Sequence, residues 1–358
     1  MHPVSLTAAD LGGASPAPVA GLVLTHTVVD PATGRRRFRK GQVLTEVDRL
    51  ALAACLEAGM PIHAVRLEPG DVLEDPAAQR LAAALIGEGD GIAPRKPVQS
   101  RVNMEATRKG LLRVDAEAVI ALNRRDGIGV FTAVDRLPVL PGKVVAGAKI
   151  APVAIPGAVL DEAESWLANR PGPALEVKPF IPHRAGVIVT EGLDPRVRDR
   201  FEEAVRRKLA WYGSEVLHFD HIPSNPEAVA HAARALLADG ADLLLSAGGN
   251  MMDPLDPTQL ALPTFDAEVV RLGAPAHPGS MFWLGYTGAG VPIVNLASCS
   301  MYSRSTVADL VLPWVMAGEH VTADDLAALG YGGLLDRTTS WRFPPYEAEE
   351  ADEPDDEE

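Results

Sequence analysis

The sequence is poor in cysteine. It has two in 358 residues, Cys55 and Cys299, far apart and in no C-x-x-C pattern. That argues against a disulfide framework or a structural zinc site and fits a reducing cytoplasm. It has no apolar run near the ~18 residues that a membrane span needs. The first twenty residues lack a basic stretch followed by an apolar one, so no signal peptide is expected and the location read from the sequence is cytoplasmic. Neither G-x-G-x-x-G nor G-x-x-x-x-G-K-[ST] occurs, which counts against an ordinary nucleotide-binding α/β protein. No Ser/His/Asp or Cys/His set stands out. There is also no broad basic face for nucleic acid and no internal repeat.

What is present is a globular composition, 47% hydrophobic and 23% charged. The length suggests two or three domains. The net charge of −15 is unevenly placed, because nine of the last twelve residues, Glu347–Glu358, are acidic and the rest of the chain carries only −6. Residues 339–358 are therefore expected to form an acidic, disordered, solubilising tail. The one basic cluster, Arg35–Arg37 with Arg39 and Lys40, follows Pro31 and Gly34 and reads as an exposed hairpin.

Along the chain, residues 1–20 are rich in Ala, Pro and Gly and read as flexible. Residues 21–99 read as a small α+β unit: a strand over 22–29, a hairpin partner over 38–43, a helix over 45–58 with Thr45 and Asp48 in capping-box positions, a strand over 62–67 and a helix over 75–86. Residues 100–183 read as a second α+β segment, with strands over 111–114, 129–133 and 143–151, helices from Asp115 and over 158–168, and a linker at Pro171-Gly172-Pro173. From Arg184 to about residue 338 the pattern becomes strand–helix alternation with short loops. That implies an α/β fold with an open, mainly parallel sheet and helices on both faces.

The stretch 241–258 organises this last domain. Leu243, Leu244 and Leu245 form a buried-strand run that opens into Ser246-Ala247-Gly248-Gly249-Asn250, then Asp253 and Asp256, each followed by proline. A parallel strand running into a glycine-rich loop delivers backbone N–H groups to the carboxyl edge of a sheet, where α/β proteins bind ligands. The two carboxylates suit a hard divalent cation. The same residues also fit a plain turn and helix caps. Three more loops are expected at this edge: Thr190-Glu191-Gly192, His277-Pro278-Gly279-Ser280, and 295–303. In the last of these, Ser298, Ser300 and Ser303, with Arg304, have the chemistry to grip a phosphate. Such a set suits an anionic, hydrogen-bonding ligand better than covalent catalysis. Arg101 and Asn103 are candidates to reach the site from the first half; a local turn or salt bridge is the plainer reading. His277 reads as a loop residue.

From Arg184 to about Leu335 the chain resembles the molybdopterin-binding domain of molybdopterin adenylyltransferases and molybdotransferases. The resemblance rests on four elements in order. Thr190-Glu191-Gly192 stands for the TG(D/E)E-type turn. Gly248-Gly249, with Asp256 seven residues later, stands for the GG loop and its aspartate. Pro278-Gly279 stands for the PG turn, and Leu296-Ala297-Ser298-Cys299-Ser300 for the LPGNP-like loop. The whole chain is similar to a narrower group, molybdopterin-binding proteins and the corresponding region fused to some molybdenum cofactor cytidylyltransferases. That likeness lies at 40–44, 67–72, 101–103, 110–112 and 149–152. Asn250 and Met251 replace the last two positions of GGTG, and most of LPGNP is lost.

The resemblance implies that molybdopterin or the molybdenum cofactor is the ligand and that the role lies in its biosynthesis or maturation. It implies Asp253 and Asp256 as the catalytic and magnesium-holding pair. Thr190, Glu191, Gly192, Ser246, Gly248, Gly249, Asn250, Pro278, Gly279, Ser280, Ser298, Ser300, Ser303 and Arg304 are implied as ligand-binding. Molybdate or a nucleotide is a possible co-substrate. A second copy and a molybdoenzyme or cytidylyltransferase are the implied protein partners. If the protein is an enzyme, the step is of molybdotransferase or adenylyltransferase type; the altered GGTG and LPGNP elements favour the alternative, a non-catalytic carrier.

Overall fold

The computed structural model describes residues 1–12, 16–30, 32–98, 100–248, 253–296 and 306–348. Its hydrophobic residues gather into three successive bodies. In the first, Leu6, Leu22, Leu24, Leu52 and Ile62 pack beneath a three-stranded antiparallel sheet. One of its strands is His2–Leu6, paired with Ile62–Arg66. The start of the chain is therefore ordered, against the expectation from its Ala/Pro content: Val4 and Leu6 supply the alternating apolar face that a strand needs. The basic stretch does form a hairpin, with Val28–Val29 paired to Arg36–Phe38. Thr45 and Asp48 cap the following helical segment in a capping box.

The second body holds a four-stranded and a three-stranded antiparallel sheet. The helix Glu74–Ile86 packs its buried face, Ala77, Ala78, Leu81 and Leu85, against this body rather than the first. The sequence grouping 21–99 therefore places that helix with the wrong core. Four strands of these sheets are not legible in the sequence: Ile92–Pro94, Leu137–Val139, Arg101–Ala106 and Leu175–Pro179. Arg101–Ala106 alternates cleanly but is polar on its outer face, and Leu175–Pro179 lies just past the Pro171-Gly172-Pro173 break. The latter pairs with Gly110–Val114, so the break is a turn inside this body.

The third body is a six-stranded sheet in the order Glu215–His221, Arg184–Val189, Leu243–Ala247, Pro292–Leu296, Trp283–Thr287, Ala267–Leu272. The first four strands are parallel to one another, and Trp283–Thr287 is antiparallel to both of its neighbours. This is an α/β fold with helices on both faces, as the alternation implies. On one face Val187, Leu245 and Val294 meet Phe201, Val205 and Val311; on the other Ile188, Leu244 and Ile293 meet Ala233, Leu236 and Leu262. Edge strand Ala267–Leu272 was missed because charges and a bulge break its alternation.

Three helices here start the same way. Asp194, Asn225 and Asp256 each accept backbone N–H bonds from the first turn, and each is followed by proline at the first helical position. An Asx cap supplies the acceptor, and proline has no N–H to leave unsatisfied. Among the described residues no helix is long and apolar enough to cross a membrane.

The end of the described chain is packed, contrary to the tail expected from residue 339. Residues 337–342 form a short helix, and Phe343 is buried. Tyr346 sits among Trp211 and Tyr212, and Trp211 Nε1 donates to Ala348 O at 3.2 Å. Acidic content misled here because the aromatics lie just ahead of it. Residues 349–358 lie outside the described residues.

Candidate functional site

All five residues of Leu243–Ala247 are buried, as a central parallel strand requires. Immediately after it Gly248 adopts φ +103°. A Cβ there would fall 2.6 Å from Thr190 Oγ1 and 2.9 Å from Glu191 N. Only glycine permits both the conformation and the approach. The contact brings two of the sequence-predicted loops together, and Thr190 N donates to Ala247 O at 3.0 Å.

Parallel register fixes the neighbours: Ser246 lies between Ile188 on one side and Asn295 on the other. Asn295 Nδ2 donates to Ser246 O at 3.4 Å. The hydroxyls of Thr190 and Ser246 are buried and have no hydrogen-bond partner among the described residues, and the same holds for Thr258 Oγ1 and Gln259 Nε2 on the next helix. These are four of the eight such side-chain atoms found among the described residues, so the unpaired polarity is concentrated at this edge. Each costs about 1–3 kcal/mol when left unsatisfied, which a ligand supplying donors and acceptors would recover. Sequence reasoning passed over Gln259; its signal was position, one turn after a cap at the sheet edge.

Asp256 is 4% exposed, not the exposed loop carboxylate that its surroundings suggest. Its Oδ1 accepts from Thr258 N at 2.9 Å and Gln259 N at 3.3 Å. Asp253 is exposed and accepts from Leu255 N at 2.9 Å, and its carbonyl accepts Asp256 N. Both carboxylates are thus committed to backbone amides, and no cluster of three metal-ligating side chains occurs among the described residues. This donor set fits caps and does not by itself fit a magnesium site, so no chemistry is derived through that ion.

The third loop reaches the same edge, since Leu272 and Trp283 are cross-strand partners at that end. Its role in the structure is seating. Pro278 O accepts from Val307 N at 3.3 Å, and Gly279, at φ +110°, lies so close that a Cβ would meet Val307 N at 2.8 Å. The loop therefore positions the start of Val307–Met316, the helix that follows the fourth predicted loop. Ser280 O accepts from Ala274 N at 3.0 Å within the loop. His277 exchanges backbone hydrogen bonds with Gly333 and Leu335. A Cβ at Gly192 would meet no described atom within 4 Å.

Gly249, Asn250, Ser298, Ser300, Ser303 and Arg304 lie outside the described residues. Arg101 and Asn103 belong to the outer face of the four-stranded sheet in the second body. What the edge offers chemically is hydroxyls, amides and a glycine-lined backbone, a set that binds and orients.

No family model matches the chain, and no curated protein does. Among solved structures, a candidate molybdenum cofactor biosynthesis protein from Corynebacterium diphtheriae is 18% identical over 38% of this chain and 94% of its own, with a TM-score of 0.29. The molybdopterin biosynthesis enzyme MoaB from Thermus thermophilus is 23% identical over 38% of this chain and 98% of its own, with a TM-score of 0.30. The molybdopterin biosynthesis Mog protein from Mycobacterium ulcerans is 16% identical over 39% and 99%, with a TM-score of 0.27.

Proposed function

We propose that the carboxyl edge of the six-stranded sheet binds molybdopterin, or the cofactor made from it, and that the protein acts in making or handing on that cofactor. The observation that carries this reading is the pair of buried, unpartnered hydroxyls, Thr190 Oγ1 and Ser246 Oγ, at the ends of adjacent parallel strands beside Gly248. The ordered series of four loop motifs in the sequence supplies the identity of the ligand. A pterin with a phosphate arm presents many donors and acceptors and a negative charge. It would satisfy the hydroxyls and meet backbone N–H groups of the glycine loop.

The test is titration of the protein with molybdopterin. Wild type binds, and Ser246→Ala, which removes only the hydroxyl, weakens binding while keeping the melting temperature. Equal binding by the two proteins would take Ser246 out of the site, and no binding by wild type would remove the reading altogether. Turnover of bound pterin on addition of ATP and magnesium, or of molybdate, would make the protein a transferase. Tight binding without turnover would make it a carrier.

A further inference from the structure

The four-stranded sheet of the second body has one covered face and one bare one. Val102, Met104, Ala146 and Ala148 point into the core beneath the helix Glu74–Ile86. The opposite face carries Arg101, Asn103, Phe131 and Lys149, set in two rows by the register. Gly129, Lys149 and Arg101 stand side by side in one; Phe131, Gly147 and Asn103 in the next.

Arg101 and Lys149 are direct cross-strand partners, and both are exposed. Neither makes an ion pair with any described residue. Like charges placed directly opposite destabilise a sheet. The one carboxylate further along the same face, Glu105, is already taken by Arg95. Gly129, on the other side of Lys149, adds no side chain. Beside the cations, the Phe131 ring lies over Gly147, into which a Cβ at that glycine would be driven. Backbone covers the ring's inner side, yet the residue remains 47% exposed. Covering a bare glycine accounts for where the ring sits. It does not account for two uncompensated cations in the adjoining row.

We propose that this face is a second ligand site, for a phosphorylated planar ring of the mononucleotide class. The ring system stacks on the open side of Phe131. The phosphate bridges Arg101 and Lys149, which relieves their repulsion with charge-assisted hydrogen bonds. Asn103, next to Gly147, offers an amide to the edge of the stacked ring. The site shares no residue with the sheet edge of the third body.

The experiment is calorimetric titration of the full chain at low salt with AMP, with inorganic phosphate and with a short single-stranded oligonucleotide. Wild type binds AMP. Phe131→Leu, which keeps an apolar cover over Gly147, weakens AMP about fivefold or more and leaves phosphate unchanged. Lys149→Gln, an exposed substitution, weakens both. Affinity for AMP that is absent in wild type, or unchanged in either variant, overturns the proposal. So does an oligonucleotide that outcompetes AMP, because the face would then be a nucleic-acid surface. Molybdopterin titrations of the same variants stay at wild-type affinity if the sheet edge holds the pterin, so the two readings fail separately.

Discussion

Arg136 Nε lies 3.2 Å from Glu319 Oε2, and this pair ties the second body to the third. Glu319 is 6% exposed in its side chain and also takes Arg113, and Lys178 Nζ at 3.4 Å. The Arg136 guanidinium reaches on to Asp325 at 2.7 Å and covers the Trp314 ring at 4.4 Å. Three cations from the second body thus converge on one buried carboxylate of the third. Removing Glu319 takes the shared partner from all three half-buried cations at once, leaving Arg113 only Asp135 and Arg136 only Asp325. Glu319→Ala should lower stability by about 3 kcal/mol and uncouple the two bodies. Urea unfolding followed separately in each body reads this out. One cooperative transition with an unchanged midpoint would count against it.

Asp256 allows a sharper distinction. As a helix cap it is replaceable by asparagine, which accepts the same N–H bonds. Asp256→Asn should therefore stay within about 0.5 kcal/mol of wild type, while Asp256→Ala should lose about 1 kcal/mol. A metal-holding carboxylate would behave differently: both variants would lose a metal-dependent increase in melting temperature. Thermal melts with and without magnesium separate the two roles.

Gly248→Val combines two penalties. The φ of +103° is unfavourable for a β-branched residue, and the Cβ would press on Thr190 Oγ1 and Glu191 N. A loss of at least about 1 kcal/mol is expected, with molybdopterin affinity falling further than stability does. Titration beside a melting curve measures both. A variant with the wild type's melting temperature would show that the strand end relaxes freely.

Much of this architecture was readable before any coordinates. The strand–helix alternation after Arg184 is carried by apolar runs such as Leu243–Leu245 and by the Asp194-Pro195, Asn225-Pro226 and Asp256-Pro257 helix starts, all of which are local signals. The errors fell where tertiary contacts decide. Helix Glu74–Ile86 is correctly placed in sequence, but nothing in its residues says which core will take it. Edge strand Ala267–Leu272 has its alternation broken by Arg271 and a bulge. At the site, the meeting of Gly248 with Thr190 follows from parallel register, which a motif series only suggests. The burial of Asp256 depends on how its short helix packs against the helix Pro226–Ala238.

The C-terminal segment supplies a proteolytic test. Phe343 is buried, and Tyr346 donates its hydroxyl to Asp309 Oδ1 at 2.9 Å. Chymotrypsin should spare the bond after Tyr346 until the third body unfolds. Tyr212→Ala, which removes a buried ring that Tyr346 packs on, should open that bond to cleavage and cost about 3 kcal/mol by emptying an aromatic site. Early cleavage at Tyr346 in wild type would mean that this segment detaches readily.

The same cluster predicts an alkaline limit. Burial raises the phenols of Tyr212 and Tyr346 well above the ordinary tyrosine value; for Tyr346 the charge of Asp309 adds to this, and for Tyr212 it outlasts the opposing hydrogen bond between the two rings. In the unfolded chain both ionise near pH 10. Below that pH the folded and unfolded states carry the same protons, and the stabilisation from the raised values is complete. As the pH rises past 10, the unfolded state loses protons that the folded state keeps, so stability falls. The Lys208 ammonium, 2.6 Å from Asp309, holds that carboxylate beside the rings. Urea midpoints should therefore be flat from pH 8 to about 9.5 and drop above it. The double variant Tyr212→Phe, Tyr346→Phe should flatten that decline while losing the hydrogen bond to Asp309 at every pH. Trp211, packed on both tyrosines, reports the transition by its fluorescence. An equally steep alkaline decline in the double variant would assign it to other groups.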